Sequence, residues 1–239
     1  MMKLSQVFEQ LTVGELSQVK LGGAEEGEIQ ESKYRAVASH VQLGLTTLYT
    51  RFNLKQGRLT LQIMPDMDTY ALNSKYAVNG KATTAPLRWI IDTPAVPFKD
   101  DLLKIITVRA DDGTRLPLND YLDGDSVFTP TMDSLRLPSH LASGTFLKVE
   151  YQANHPSILP KAPYLDPRVV NIELPMSHLQ ALLYFVASRV HNPIGMGQEF
   201  NAGNNWAQRF ESECQRLEQE GIEIDDSAQV NRAKRGGWV

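Results

Sequence analysis

The sequence predicts an α+β protein: a discontinuous antiparallel helical bundle with an antiparallel β-sheet or small-barrel domain inserted into it. Three observations predict this. Residues 1–56 carry apolar side chains at helical steps, residues 57–173 alternate and are rich in proline and turn formers, and residues 174–221 return to helical steps. Neither helical segment makes a core alone, so the two must close on each other around the middle. The chain of 239 residues is 42% hydrophobic and 22% charged, enough to bury a core of that size.

Taken in order, Leu4, Val7, Phe8 and Leu11 predict a short N-terminal helix. Gly22, Gly23 and Gly27 then mark an acidic loop with Glu25, Glu26 and Glu28. Tyr34, Val37, Val41, Leu45, Leu48 and Phe52 step by three or four, with Ser32 as the expected N-cap. Gly44 and Thr46 are poor helix formers, tolerable where another helix comes close.

In the middle, residues 57–63 alternate as a half-buried strand and residues 102–108 are rich in β-formers. Asp111, Asp112 and Gly113 signal a hairpin turn before Arg115 and Leu116. Residues 127–129 and 146–151 read as two more strands, with long connections such as 154–167. After Pro175, the residues Leu179, Leu182, Leu183, Val186 and Val190 outline one helix. His191, Asn192, Pro193, Gly195 and Gly197 break it, and Trp206, Phe210, Cys214 and Leu217 outline a second. Arg209, Glu211, Glu213, Arg216 and Glu218 between them form a solvated or subunit-facing surface.

Most function classes lack support. A net charge of −4 argues against general binding of nucleic acid, which needs a basic face to displace counterions. One cysteine, Cys214, excludes an internal disulfide framework and any multi-cysteine metal site, and its place on an apolar stripe makes it a core residue. Residues 1–10 lack the apolar run of a signal peptide and nothing approaches membrane-spanning length, so a soluble chain in the cytoplasm is expected.

No metal site is expected. The histidines are His40, His140, His155, His178 and His191, without a close pair; His178 and His191 flank one helix about 20 Å apart at helical rise. Acidic pairs at Asp100 and Asp101, Asp111 and Asp112, Asp123 and Asp125, and Asp225 and Asp226 sit among turn residues and read as turn formers. Gly195 and Gly197 fall short of a dinucleotide fingerprint, and no nucleophile elbow occurs. The expectation is a protein without catalytic, cofactor or metal residues; a hydrolase using His155 with aspartates of the middle segment is the enzyme reading it displaces.

The tail differs in kind. From residue 222 the periodicity stops, and Arg232, Lys234, Arg235 and Trp238 lie among small residues. A terminal tryptophan is an efficient interface anchor, and the cations beside it suit an acidic partner surface. Residues 222–239 therefore read either as a solvated terminus or as a docking arm that orders on binding.

With this layout, the chain resembles the head-to-tail adaptors of tailed bacteriophages, the connector class that includes the podophage tubular tail protein A. The resemblance rests on Leu174, Pro175, Leu179, Leu182, Leu183 and Val186 leading into Ala187, Ser188, Arg189 and Val190. It continues after the elbow in Gly203, Asn204 and Asn205, then Phe210, Glu211, Glu213, Cys214 and Leu217. The 34–52 helix with Leu54 to Gly57 after it also fits; the β segment is not matched.

The resemblance implies a ring, usually of twelve copies, that sits under the portal protein in the virion and offers a platform to the tail or nozzle protein. Double-stranded DNA would pass through the channel without sequence-specific binding, and the 222–239 arm would dock on the portal. Assembly would take place in the host cytoplasm, with no membrane involved. The alternative is another tail component, such as a tail-tube terminator or baseplate-like protein.

Overall fold

The computed structural model describes residues 2–19, 21, 26–79, 87–160, 164–191 and 198–221, the last stretch with side chains from residue 202. In chain order the elements are β1 (Met2–Lys3), α1 (Leu4–Val13), α2 (Glu31–Arg51), β2 (Gln56–Gln62), β3 (Thr69–Ala71), β4 (Ile90–Ile91), β5 (Leu102–Ala110) and β6 (Arg115–Leu116). There follow β7 (Ser134–Arg136), β8 (Phe146–Ala153), β9 (Asn171–Ile172), α3 (Leu179–Val190) and α4 (Gln198–Glu220), with 3-10 turns at Ser74–Tyr76 and Met176–His178. The chain is a mixture of helices and antiparallel strands, an α+β protein.

Two compact units form: Met1–Leu54 with His155–Val239, and Lys55–Asn154. The sequence placed the second boundary at residue 173, but the return segment 155–173 belongs to the helical unit. Three contacts explain this. Its β9 pairs antiparallel with β1, Met2 opposite Ile172. The Ile158 N–H donates to Gln42 Oε1 of α2 at 2.7 Å. The Tyr49 hydroxyl of α2 donates to the Glu173 carbonyl.

Within the helical unit, α1 buries Leu4, Val7, Phe8 and Leu11, the four residues whose spacing predicted it. In α2 the stripe Val37, Val41, Leu45 and Leu48 is buried as expected. Its N-cap is Gln30, two residues ahead of the expected Ser32, which lies inside the first turn and donates its hydroxyl to Gln30 Oε1 at 3.1 Å. Helix α3 departs from the amphipathic reading: besides Leu179, Leu182, Leu183 and Val186 it buries Ala181, Phe185, Ala187 and Ser188. A helix covered on nearly every side is a central helix, and α2 and α4 both pack on it. Helix α4 is amphipathic, with Cys214 and Leu217 fully buried and Arg209, Glu211, Arg216 and Glu218 exposed.

The other unit is built on a five-stranded antiparallel sheet in the order β4-β2-β8-β5-β6. Its edges, β4 and β6, do not pair with each other, so among the described strands the sheet is open and not the barrel held as the alternative. Both edge strands are two residues long, which limits the unpaired backbone they present. The β2 alternation appears as expected, Leu59, Leu61 and Ile63 pointing into a core with Trp89, Val149 and Leu147. Asp111 to Gly113 turn β5 into β6, with Gly113 at φ +88°, a left-handed conformation glycine adopts without penalty.

Residues 127–129 are not the expected strand. Val127 bridges Leu118 and Phe128 bridges Arg136, one residue each, because the segment serves as the spine of a loop and extends no ladder. A separate ribbon pairs β3 with β7, Tyr70 opposite Leu135. The chain enters and leaves this unit side by side, the Ala153 N–H donating to Lys55 O at 2.8 Å.

Candidate functional site

The expected docking residues Arg232, Lys234, Arg235 and Trp238 lie outside the described residues, as does the pair Asp225 and Asp226. What the structure describes is the helix they follow. Helix α4 stops at Glu220, and Gly221 takes the left-handed conformation (φ +64°) that commonly terminates helices.

A charged clamp holds α4 to α2. Arg51, in the last turn of α2, donates from Nη1 and Nη2 to the two oxygens of Glu211 at 2.7 and 2.8 Å, and from Nε to Glu218 Oε1 at 2.7 Å. These hydrogen bonds push the Arg51 guanidinium further toward its charged form. The same bonds from Arg51 hold the Glu211 and Glu218 carboxyls below the usual carboxylate range. Planar bidentate pairing gives this contact more geometric definition than an ordinary surface ion pair. One turn over, Arg216 bridges Glu213 (2.6 Å) and Glu220 (2.5 Å) along α4 itself.

Aromatic contacts complete the α3–α4 seam. The Phe185 and Phe210 rings meet edge-on at 5.3 Å, Tyr184 lies 5.5 Å from Trp206, and the Arg209 guanidinium sits 4.7 Å over the Trp206 ring. The motif residues Cys214 and Leu217 are the fully buried positions of α4 beneath this surface. Burial pushes the Cys214 thiol up to about 11, which keeps it protonated and poorly nucleophilic at neutral pH.

The histidines occupy separate structural posts. His155 is buried with both ring nitrogens engaged: Nδ1 lies 2.6 Å from Pro156 O and Nε2 accepts the Glu173 N–H at 2.9 Å. Its ring stands edge-on to Tyr49 at 5.4 Å, so it fastens the return segment to α2. His178 is buried edge-on to Phe52 at 4.8 Å. His191 Nε2 lies 3.1 Å from Glu15 O, His140 faces Asp125 at 3.1 Å, and burial lowers the His40 pKa.

Asp112 acts locally, as turn chemistry requires, whereas Asp100 and Asp101 depart from the turn-former reading by bonding to residues 26 and 50 positions away. Asp100 accepts the Ser74 hydroxyl, Asp101 accepts the Tyr151 hydroxyl at 2.9 Å, and Asp112 accepts the Thr114 N–H at 2.8 Å. Among the described residues, no group of three or more His, Cys, Asp or Glu is arranged to hold a metal ion. No described helix is long and apolar enough to cross a membrane.

Two features escaped the sequence. Arg51 and its partner Glu211 stand 160 residues apart, and nothing local links them. The other is a pair of large apolar residues, Tyr121 and Leu122, that stand in solvent between Asp120 and Asp123. Apolar neighbours inside a run of turn-forming aspartates were the available signal. No family model matches the chain, and no curated protein matches it.

Proposed function

We propose that the chain is a structural virion protein, a head-to-tail adaptor of a tailed bacteriophage. In this reading it assembles as a ring of twelve copies under the portal protein, extends the DNA channel and provides the platform on which the tail or nozzle protein mounts. The fold is then a discontinuous antiparallel helical bundle, built from both ends of the chain, with the β unit as its insertion.

One observation carries the reading. Most of the residues that carry the resemblance to the adaptor class lie on α3 and α4, and α3 is sheathed by α2 and α4 while the charged face of α4 stays at the surface. A rigid hairpin base with a mixed Arg/Glu outer face supports a heterologous subunit contact of the kind that closes a ring. The Arg51 clamp keeps α4 in register with α2, so the sequence that follows, with Arg232, Lys234, Arg235 and Trp238, starts from a fixed point. The net charge of −4 suits a conduit that must let double-stranded DNA pass, since many cationic phosphate contacts would hold the cargo. The protein acts at the head–tail interface of the virion after assembly in the host cytoplasm.

The test is a deletion. A chain lacking residues 231–239 should fold with an unchanged circular dichroism spectrum and thermal midpoint, yet fail to join portal-bearing heads. Normal joining by that chain would remove the docking-arm role.

A further inference from the structure

The loop between β6 and β7 is built to hold its apolar residues in water. Leu122 is 98% exposed, Tyr121 85% and Met132 80%, all within residues 119–133. Scattered apolar residues on a surface need no explanation; two adjacent ones on a braced loop do. The Asn119 N–H donates to Val127 O and the Val127 N–H to Pro117 O, each at 2.9 Å. Asn119 and Thr129 exchange two further bonds, its Oδ1 accepting the Thr129 N–H and its Nδ2 donating to the Thr129 hydroxyl, both at 2.9 Å.

At the turn, Asp120 Oδ1 accepts the Leu122 N–H at 3.0 Å and Asp123 Oδ1 accepts the Asp125 N–H at 2.9 Å. Ser126 and Val127 are buried beneath it, and the Tyr121 ring lies 5.0 Å from that of Phe128. A chain this constrained loses little conformational freedom when its apolar side chains are covered, the property that makes a loop an efficient anchor.

Charge selects the occupant. Residues 119–133 contain Asp120, Asp123, Asp125 and Asp133 and no lysine or arginine. Even with the Arg136 guanidinium 5.3 Å over the Phe128 ring and His140 3.1 Å from Asp125, the aspartates leave the loop net negative. It is therefore repelled by anionic lipid headgroups and by nucleic acid, and it fits a protein surface whose apolar cleft is bordered by cations.

We propose that Tyr121 and Leu122 anchor the protein component that follows this one in the tail, entering an apolar cleft rimmed by Lys and Arg. This rests on the adaptor reading, and assigns the platform it requires to the β6–β7 loop.

The experiment supplies full-length chains in place of the wild type during assembly of the phage that carries the protein. The particles are examined by cryo-electron microscopy and mass spectrometry. The Tyr121→Ser, Leu122→Ser double variant changes only exposed side chains. The Asp120→Asn, Asp123→Asn, Asp125→Asn triple variant removes charge and keeps the accepting oxygens that brace the loop.

Heads should carry the double variant at wild-type copy number and lack the next tail component, with tail addition reduced at least about 30-fold, as for loss of a binding hot spot. The triple variant should slow tail addition and flatten its dependence on salt. Complete tails on double-variant heads would overturn the assignment. So would absence of that variant from heads, which would place the loop against the portal or a neighbouring copy, or binding of the wild-type chain to phosphatidylglycerol vesicles that Leu122→Ser abolishes. A wild-type chain missing from the head–tail junction would instead overturn the adaptor reading itself.

Discussion

Gly44 of α2 lies against Phe185 of α3 with no room for a methyl group. A Cβ at that position would sit 2.9 Å from Phe185 Cδ1 and 2.7 Å from Leu182 Cδ1. The glycine costs α2 helix propensity and gains a close helix–helix approach, so the two effects oppose each other in any substitution. Alanine would recover about 1 kcal/mol of propensity and lose about 1–3 kcal/mol to overpacking in a buried seam. Gly44→Ala should therefore lower stability by about 1 kcal/mol, and Gly44→Val by more, read as a fall in urea midpoint with unchanged slope. An increase in midpoint would mean that α2 and α3 are not in contact at this point.

Gly57 plays the same part in the β unit. It pairs with Tyr151 across β2 and β8, and a Cβ on it would come within 2.2 Å of the Tyr151 ring. That ring is itself fixed, its hydroxyl bonded to Asp101 and its edge set against Phe98 at 6.0 Å. Gly57→Ala should cost about 2 kcal/mol in the wild-type background and much less beside Tyr151→Ala, where the ring is gone. A double-mutant cycle with no coupling would exclude the overlap as the cause.

The Arg51 clamp has a pH signature. Glu211 and Glu218 have folded-state pKa values held below their unfolded ones by Arg51. Their contribution is present above the unfolded carboxylate range and is lost as pH falls through the folded values. Arg51→Gln should cost about 1 kcal/mol near neutral pH, given how weak exposed ion pairs are, and that difference should vanish at acid pH and shrink in high salt. Equal destabilisation across the acid range, measured by urea titration at each pH, would show that Arg51 acts through packing alone.

The distance between partners in the chain decides what was legible. The α1 stripe, the α2 stripe and the Asp111 to Gly113 turn are written in adjacent residues, and each was readable from spacing or turn chemistry. The return segment was not, because Met2 pairs with Ile172 and Gln42 holds Ile158, contacts with no local trace. Apolar spacing identified α3 but understated its burial, since Ala187 and Ser188 are small enough to be covered without counting as a stripe. Tyr121 and Leu122 are obscured in the sequence by the aspartates around them, which account for the turn on their own. Of the expected docking residues, all four fall beyond Gly221, so the sequence alone speaks for them.

Cys214 offers a probe of the seam beneath the resemblance motif. Fully buried and with its thiol raised to about 11, it should react with a thiol reagent only through opening of α4, far more slowly in the folded protein than in denaturant. Cys214→Ser should destabilise by placing a hydroxyl in an apolar seat, while Cys214→Ala should retain most of the stability. Rapid labelling of the native chain would show that α4 is not closed over it.

The proposed ring between portal and tail is the assembly on which the adaptor function depends. It is tested most directly by cryo-electron microscopy of portal-bearing heads incubated with the purified full-length protein. Added density should appear below the portal, accommodating twelve copies and a continuous axial channel, with α3 and α4 forming the subunit base. Heads that emerge unchanged, or with the protein bound elsewhere on the particle, would contradict it.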